Sequence, residues 1–133
     1  MKPALAWALR LIPAALIGQT LPFKFSGATQ SVELFSKLGE NALGNPGLEG
    51  ALRFGTGVVE FIAVVLLLIP KHSLKGAILI VGTMAGALAS HALFIGFAGH
   101  GFLPLLAAIA LICSAIYLWN SKLELLKLLR RLK

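Results

Sequence analysis

Charged residues and cysteine are both scarce in this chain of 133 residues. Only 13% of the residues are charged, whereas a soluble domain has about 25%. The hydrophobic fraction is 58%, which leaves too few polar residues to cover a soluble core. The single cysteine, Cys113, excludes a disulfide within the chain and any redox cycle that needs two thiols. Cys113 lies in an apolar stretch, where cysteine usually packs as a small hydrophobe.

Acidic residues are scarcer than basic ones, and the net charge is +7. In a soluble protein that excess would suggest nucleic acid, but here the basic residues lie at the ends of apolar stretches, where topology and anionic lipid explain them. We therefore expect membrane lipid and no nucleic acid as a partner. No pair of histidines has the spacing of a metal or haem site, and His72 and His100 fall in turns. We expect no metal and no intrinsic cofactor.

Hydrophobic residues are concentrated in four blocks, at about 4–21, 52–69, 76–97 and 102–119. Each is about as long as the ~20 residues that a helix needs to cross a bilayer. The basic start resembles a signal peptide, but Arg10 interrupts its apolar core and no clean cleavage site follows, so we expect the first helix to be retained. The blocks predict an all-α fold, an integral membrane four-helix bundle in one domain over residues 1–133.

Two amphipathic segments accompany the bundle. In the polar stretch after the first block, Leu34, Phe35 and Leu38 share one side of a predicted short helix over 29–38 that lies on the membrane surface. A plain loop is the alternative. After the fourth block, leucines at helical spacing predict a basic amphipathic extension at an anionic lipid surface. Its basic residues are Lys122, Lys127, Arg130, Arg131 and Lys133.

Basic residues are distributed unevenly between the two sides of the predicted bundle. One side holds the N-terminus, the turn between blocks two and three, and the C-terminus. Its basic residues are Lys2, Lys71, Lys75, Lys122, Lys127, Arg130, Arg131 and Lys133. The other side holds only Lys24 and Lys37. The positive-inside rule therefore predicts that both termini are cytoplasmic and that the amphipathic segment belongs to the outer loop.

Three charged residues and one histidine lie within the apolar blocks, and these are the candidate site residues: Arg10, Arg53, Glu60 and His91. A charge at the centre of a membrane helix costs about 2.5–3.5 kcal/mol, so it usually faces a partner. A rise of ~1.5 Å per residue places Arg10 and Glu60 at similar depths. We therefore predict an Arg10–Glu60 ion pair.

Several interpretations of these polar residues stay open. The Arg10–Glu60 pair could hold two helices together, or Glu60 could begin a polar column that continues outward to Arg53, His91 and Lys24. Arg53 and Lys24 could instead extend to the outer headgroups, which for Lys24 is the favoured interpretation. His91 could serve only as a hydrogen-bonding residue between helices.

Small residues recur every fourth position in the third block, at Gly82, Gly86 and Ser90. Such spacing lets helix backbones approach closely. It predicts helix packing, either within the bundle or between two copies in a homodimer.

These features together resemble the DoxX family of small bacterial membrane proteins. The resemblance rests on Arg10, on Phe25-Ser26-Gly27 with the following Lys37, on the segment from Arg53 to Glu60, and on the small residues before His91. It covers nearly the whole chain, although its motifs are short. It implies a four-helix bundle in the bacterial inner membrane.

The resemblance also implies a function, as a membrane subunit or anchor associated with a redox, quinone or oxidative-stress system. The partner would be a membrane or soluble oxidoreductase subunit, and any quinone would be shared with that partner. No catalytic residue can be assigned. The alternatives are a quinone-reactive subunit in which Glu60 and His91 carry protons, and a small proton-coupled transporter or exporter that works through Glu60.

Overall fold

The computed structural model describes residues 1–99 and 101–133, so the predicted turn residue His100 lies outside the described residues. Every regular element in the described part is helical, which confirms the all-α prediction. The α-helices are α1 Pro3–Gly18, α2 Leu21–Ser26, α3 Thr29–Leu43, α4 Glu49–Leu68, α5 Ser73–Ser90, α6 Leu103–Asn120 and α7 Lys122–Arg131. Short 3₁₀ turns occur at Pro46–Leu48 and Pro70–His72, and a π-helix occupies His91–Ile95.

Four helical segments are long and apolar enough to cross a membrane. They are Pro3–Ser26, Pro46–Leu68, Pro70–Ile95 and Leu103–Asn120, and each overlaps one predicted block, with ends that differ by up to six residues. At most 33% of any of these segments is buried inside the protein. The remainder exposes large apolar side chains, such as Phe61 at 54% and Ile112 at 57%.

The long helices pack around a shared core. Helix α4 lies against α1 and α5, and α6 lies against α5 and α1, whereas α1 and α5 touch only slightly. Leu67 and Ile80 are fully buried at the centre. The closest approach is at Gly76 of α5, where an added Cβ would lie 2.7 Å from the Cα of Leu67 and 2.8 Å from the carbonyl oxygen of Ala63. Only glycine allows this contact between α4 and α5.

Helix α2 prolongs the first long segment beyond its predicted end. The first predicted block ends at about residue 21, but after a brief interruption at 19–20 the chain is helical again through Ser26. Gly27, at φ 71°, then ends α2 in the left-handed conformation that glycine favours. Helix α2 packs on α4, where Gly57 leaves room for the Phe25 ring. This packing brings Lys24 against α4.

Helix α3 corresponds to the amphipathic segment predicted over 29–38, and it continues to Leu43. Its apolar face is not free to lie on a membrane surface, because Leu34 and Phe35 are buried together with Ile95 of the π-helix. Asn41 Nδ2 also donates to the carbonyl oxygen of Phe94 at 2.6 Å. The predicted surface position is therefore corrected: α3 packs on protein.

The small residues of α5 face away from the bundle. An added Cβ at Gly82 or Gly86 would meet no atom of the described residues within 4 Å. The Ser90 hydroxyl donates back to the Gly86 carbonyl at 2.8 Å, within the same helix. Packing within the bundle is therefore the wrong role for this repeat, and Gly76 has that role instead. A homodimer through Gly82 and Gly86 stays a prediction.

Candidate functional site

The charged residues of the apolar segments meet partners other than those predicted. Glu60 lies in the middle of α4 and is 4% exposed. Its Oε2 lies 2.8 Å from Nζ of Lys24, which reaches it from α2. The Lys24 side chain is itself only 14% exposed. The predicted extension of Lys24 to outer headgroups is therefore corrected, because Lys24 turns into the protein.

Thr20 completes the environment of this ion pair. The Lys24 ammonium donates to Thr20 Oγ1 at 3.0 Å, one helical turn before it. The Thr20 hydroxyl in turn donates to the carbonyl oxygen of Ile17 at 2.7 Å. The Nζ–Oε2 contact itself is an electrostatic pair rather than a well-directed hydrogen bond, because its angles fall outside hydrogen-bond geometry although the distance is short. Lys24 is thus held between a hydroxyl and a carboxylate.

Arg10 does not pair with Glu60, so the predicted ion pair is wrong. Arg10 is 4% exposed, and its Nε donates to the carbonyl oxygen of Leu67 at 2.7 Å. The last four carbonyls of a helix have no partner within that helix, and Pro70 removes the N–H that could have continued α4. The guanidinium therefore caps the C-terminus of α4, where the helix dipole favours a cation. Its other contact is the Trp7 ring, 4.1 Å from the central carbon.

Arg53 joins α4 to α2 from a position one turn inside α4. Its Nε donates to Glu49 Oε2 at 2.9 Å, and its Nη1 donates to the backbone carbonyl of Lys24 at 2.5 Å. The central carbon also lies 4.7 Å from the Phe54 ring centroid. Arg53 therefore binds the end of α2 directly, instead of extending freely to lipid headgroups. Lys24 is fixed twice, through its side chain by Glu60 and through its backbone by Arg53.

His91 opens the π-helix and is buried. Its Nδ1 lies 2.9 Å from the Ala87 carbonyl, and its ring stacks on Phe97 with centroids 6.1 Å apart. Ala87 lies in α5 and Phe97 lies two residues beyond the π-helix. The predicted polar column through His91 stays a prediction. A π-helix is rare and is often found at functional positions.

The arrangement of these side chains is that of fixed contacts between helices. Arg10 joins α1 to α4, while Lys24 and Arg53 join α2 to α4. Two grooves lie at the α6–α7 junction, and neither is lined by Glu60, Arg10 or His91. Within residues 1–99 and 101–133, no group of His, Cys, Asp or Glu is arranged to hold a metal ion. Glu60 and Arg53 each have a partner of opposite charge inside an apolar protein, whereas Arg10 has a carbonyl partner and a buried Nη2 without a hydrogen bond to the described residues.

Sequence reasoning missed Thr20 and Glu49 as members of this network, and it considered Lys24 for a polar column with Glu60 but favoured lipid headgroups for it. One signal was available for Thr20, because it stands four residues before Lys24 and so shares its helix face. The Leu67 carbonyl also had a signal, since Pro70 predicts a helix end with unpaired carbonyls. No family model, curated protein or solved structure matches this chain. The functional argument therefore rests on the contacts.

Proposed function

We propose that this chain is a DoxX-like protein that crosses the bacterial inner membrane four times, with both termini in the cytoplasm. It serves there as a membrane subunit or anchor for a redox, quinone or oxidative-stress system. The four long apolar helices and their exposed apolar faces support membrane insertion. The unequal distribution of basic residues supports the orientation. The resemblance in sequence supports the family and the redox association.

One observation carries the choice of an anchor over a working site. Each buried charged side chain of α1 and α4 is engaged by a group of the same chain: Arg10 by the Leu67 carbonyl, Glu60 by Lys24, and Arg53 by Glu49. Charged residues engaged in this way stabilise contacts between helices and leave the binding of a partner to the outer faces. A quinone, in this proposal, belongs to the partner oxidoreductase.

The experiment removes the charges while keeping the fold. A well-packed neutral replacement of a buried ion pair is often neutral or stabilising, so Lys24→Met/Glu60→Leu should reach the membrane at the wild-type level. In the encoding bacterium, deletion of the gene should change the ratio of quinol to quinone and the survival after peroxide. The wild type and the neutral double variant should restore both equally.

Two results would contradict this proposal. If deletion of the gene leaves both the quinone ratio and peroxide survival at parental values, the proposed redox association is wrong. If the neutral double variant is present at the normal level but restores neither the quinone ratio nor peroxide survival, the charges of Lys24 and Glu60 are required for function. Glu40→Gln, at an exposed position of α3, is the matched control for loss of a carboxylate.

Proton-coupled transport through Glu60 is the second candidate. It is favoured by the position of this carboxylate, deep in an apolar helix and paired with a lysine from a separate short helix. Protonation of Glu60 would release the Lys24 side chain, while Arg53 would still hold the backbone of α2 on α4. In vesicles that contain the purified protein and a pH-sensitive dye, a transporter would show a proton flux that Glu60→Gln abolishes. An anchor would show none with either protein.

A further inference from the structure

A groove of about 360 Å³ lies where α5, α6 and α7 meet. Its lining residues lie between positions 81 and 126, so they are distant in sequence from the ion pairs of α2 and α4. Its lining residues come from all three helices and are apolar except for one lysine. They are Val81, Ala115, Leu118, Trp119, Lys122, Leu125 and Leu126.

The one cation of the groove is held at its rim. Lys122 Nζ lies 5.4 Å from the centroid of the Trp119 ring, and Trp119 is 74% exposed. An exposed tryptophan at the end of an apolar helix is typical of the headgroup level of a membrane. An ammonium at that level meets lipid phosphates.

The apolar floor extends from this rim into the spanning region. Ala115 lies five residues before the end of α6, which is about 7.5 Å along the helix axis. Val81 lies well inside α5. The groove therefore has a cation at one end and apolar side chains toward the other. These two parts match the phosphate and the acyl chain of a phospholipid.

The positive charge of α7 favours anionic lipids over zwitterionic ones. Helix α7 carries Lys127, Arg130 and Arg131 in addition to Lys122, and Glu124 is its only acidic residue. Such a basic helix attracts anionic headgroups over zwitterionic ones. None of the residues of α7 is buried by the rest of the protein, and Leu126 is 51% exposed.

A second helix fits this groove poorly. Helices in membranes associate closely through small residues, whereas Leu118, Leu125, Leu126 and Trp119 make most of the lining here. The exposed glycines of the α5 repeat, Gly82 and Gly86, are absent from that lining, in which Ala115 is the one small residue. A flexible acyl chain can lie along an open groove between leucine side chains.

We propose that this groove binds one anionic phospholipid, with an acyl chain along Ala115 and Leu118 and the phosphate beside Lys122. The proposal rests on the membrane insertion proposed above. The bound lipid would fasten α7 to α5 and α6, which otherwise share few contacts with it.

Native mass spectrometry of the full-length protein, released from detergent, tests this site. The probes are phosphatidylglycerol and phosphatidylcholine with identical acyl chains. The wild type should retain one phosphatidylglycerol in preference to phosphatidylcholine. Lys122→Ser should lower that retention about fivefold, the order expected for one lysine at an anionic surface. Ala115→Phe should block retention of either lipid by filling the floor.

Two matched controls separate a site from a general attraction. Lys133→Ser removes a basic residue outside the groove, and Ile112→Phe adds a ring to the outward face of the same helix. Both should retain phosphatidylglycerol as the wild type does. Equal loss with Lys122→Ser and Lys133→Ser would overturn the site in favour of diffuse electrostatics.

Two other outcomes also count against the lipid. A dimer that Ala115→Phe dissociates would assign the groove to a second copy. Retention of both lipids without preference would show that Lys122 does not select the anionic headgroup. Failure of membrane insertion is seen separately, as a wild-type chain that stays in the soluble fraction of lysed cells without detergent.

Discussion

Arg10 shows how an arginine inside an apolar helix can be compensated without a carboxylate. Its Nε donates to the Leu67 carbonyl, and its guanidinium stacks on Trp7. The acceptor exists because α4 ends just before Pro70 and leaves its last carbonyls unpaired. The same contact fixes the depth of α1 against the end of α4.

Arg10→Met should therefore destabilise the protein through the carbonyl and not through Glu60. A buried acceptor left without a donor costs about 1–3 kcal/mol, which thermal unfolding in detergent would measure. Combining Arg10→Met with Glu60→Gln should give additive losses, within about 0.5 kcal/mol, because the two residues share no contact. Strong non-additivity would restore the Arg10–Glu60 ion pair.

Substitutions of Lys24 and Glu60, in contrast, should have non-additive effects on stability. Lys24→Met alone leaves a carboxylate that is 4% exposed without its cation, and breaking a buried pair costs about 3–5 kcal/mol. Lys24→Met/Glu60→Leu should recover much of that loss, because neither charge remains. The measurement is a double-mutant cycle on the melting temperature. A double variant as unstable as the sum of the singles would exclude the pair.

The contact between α4 and α5 depends on one glycine. Gly76→Ala would place a methyl group against the backbone at Ala63 and Leu67, so the helices would have to separate. We expect a clear loss of melting temperature and of protein level in the membrane. Gly86→Ala is the matched control, because an added Cβ there meets open space and alanine favours helix by about 1 kcal/mol. Equal losses in the two variants would contradict the assigned packing.

Helix α3 is held by its buried face. Phe35→Ala should free α3 from Ile95, since truncation of a buried phenylalanine costs about 3–5 kcal/mol. Amide hydrogen exchange over 29–43 should then become faster. Leu43→Ala, at a side chain that is 59% exposed, should leave exchange unchanged. If α3 lay on the membrane surface instead, exposed Leu43 would matter as much as Phe35.

The number and type of the long helices could be predicted from sequence because hydropathy is a local property. The partners of the charges could not. The hydropathy pattern ended the first block near residue 21 and so placed Lys24 outside it, whereas helix α2 continues to Ser26 and brings Lys24 to Glu60. Helix rotation, which decides which side chain faces which, has no comparable signal in a uniformly apolar stretch.

The glycines show the same limit. Gly82 and Gly86 formed a visible repeat and face outward, while Gly76 stands alone in sequence and makes the closest contact. Spacing reveals which residues share a helix face, but it does not reveal which face meets the neighbouring helix. The π-helix at His91–Ile95 likewise left no pattern in the sequence.

At the scale of the whole molecule, the account depends on four helices that cross the membrane with both termini in the cytoplasm. Single cysteines at Glu40, Lys71 and Lys133, each exposed, can report this in a Cys113→Ser background. A membrane-impermeant maleimide applied to intact spheroplasts should label only the cysteine at position 40. The cysteines at positions 71 and 133 should react only after the membrane is opened. Labelling of position 71 or 133 in intact spheroplasts, or protection of position 40, would contradict the account.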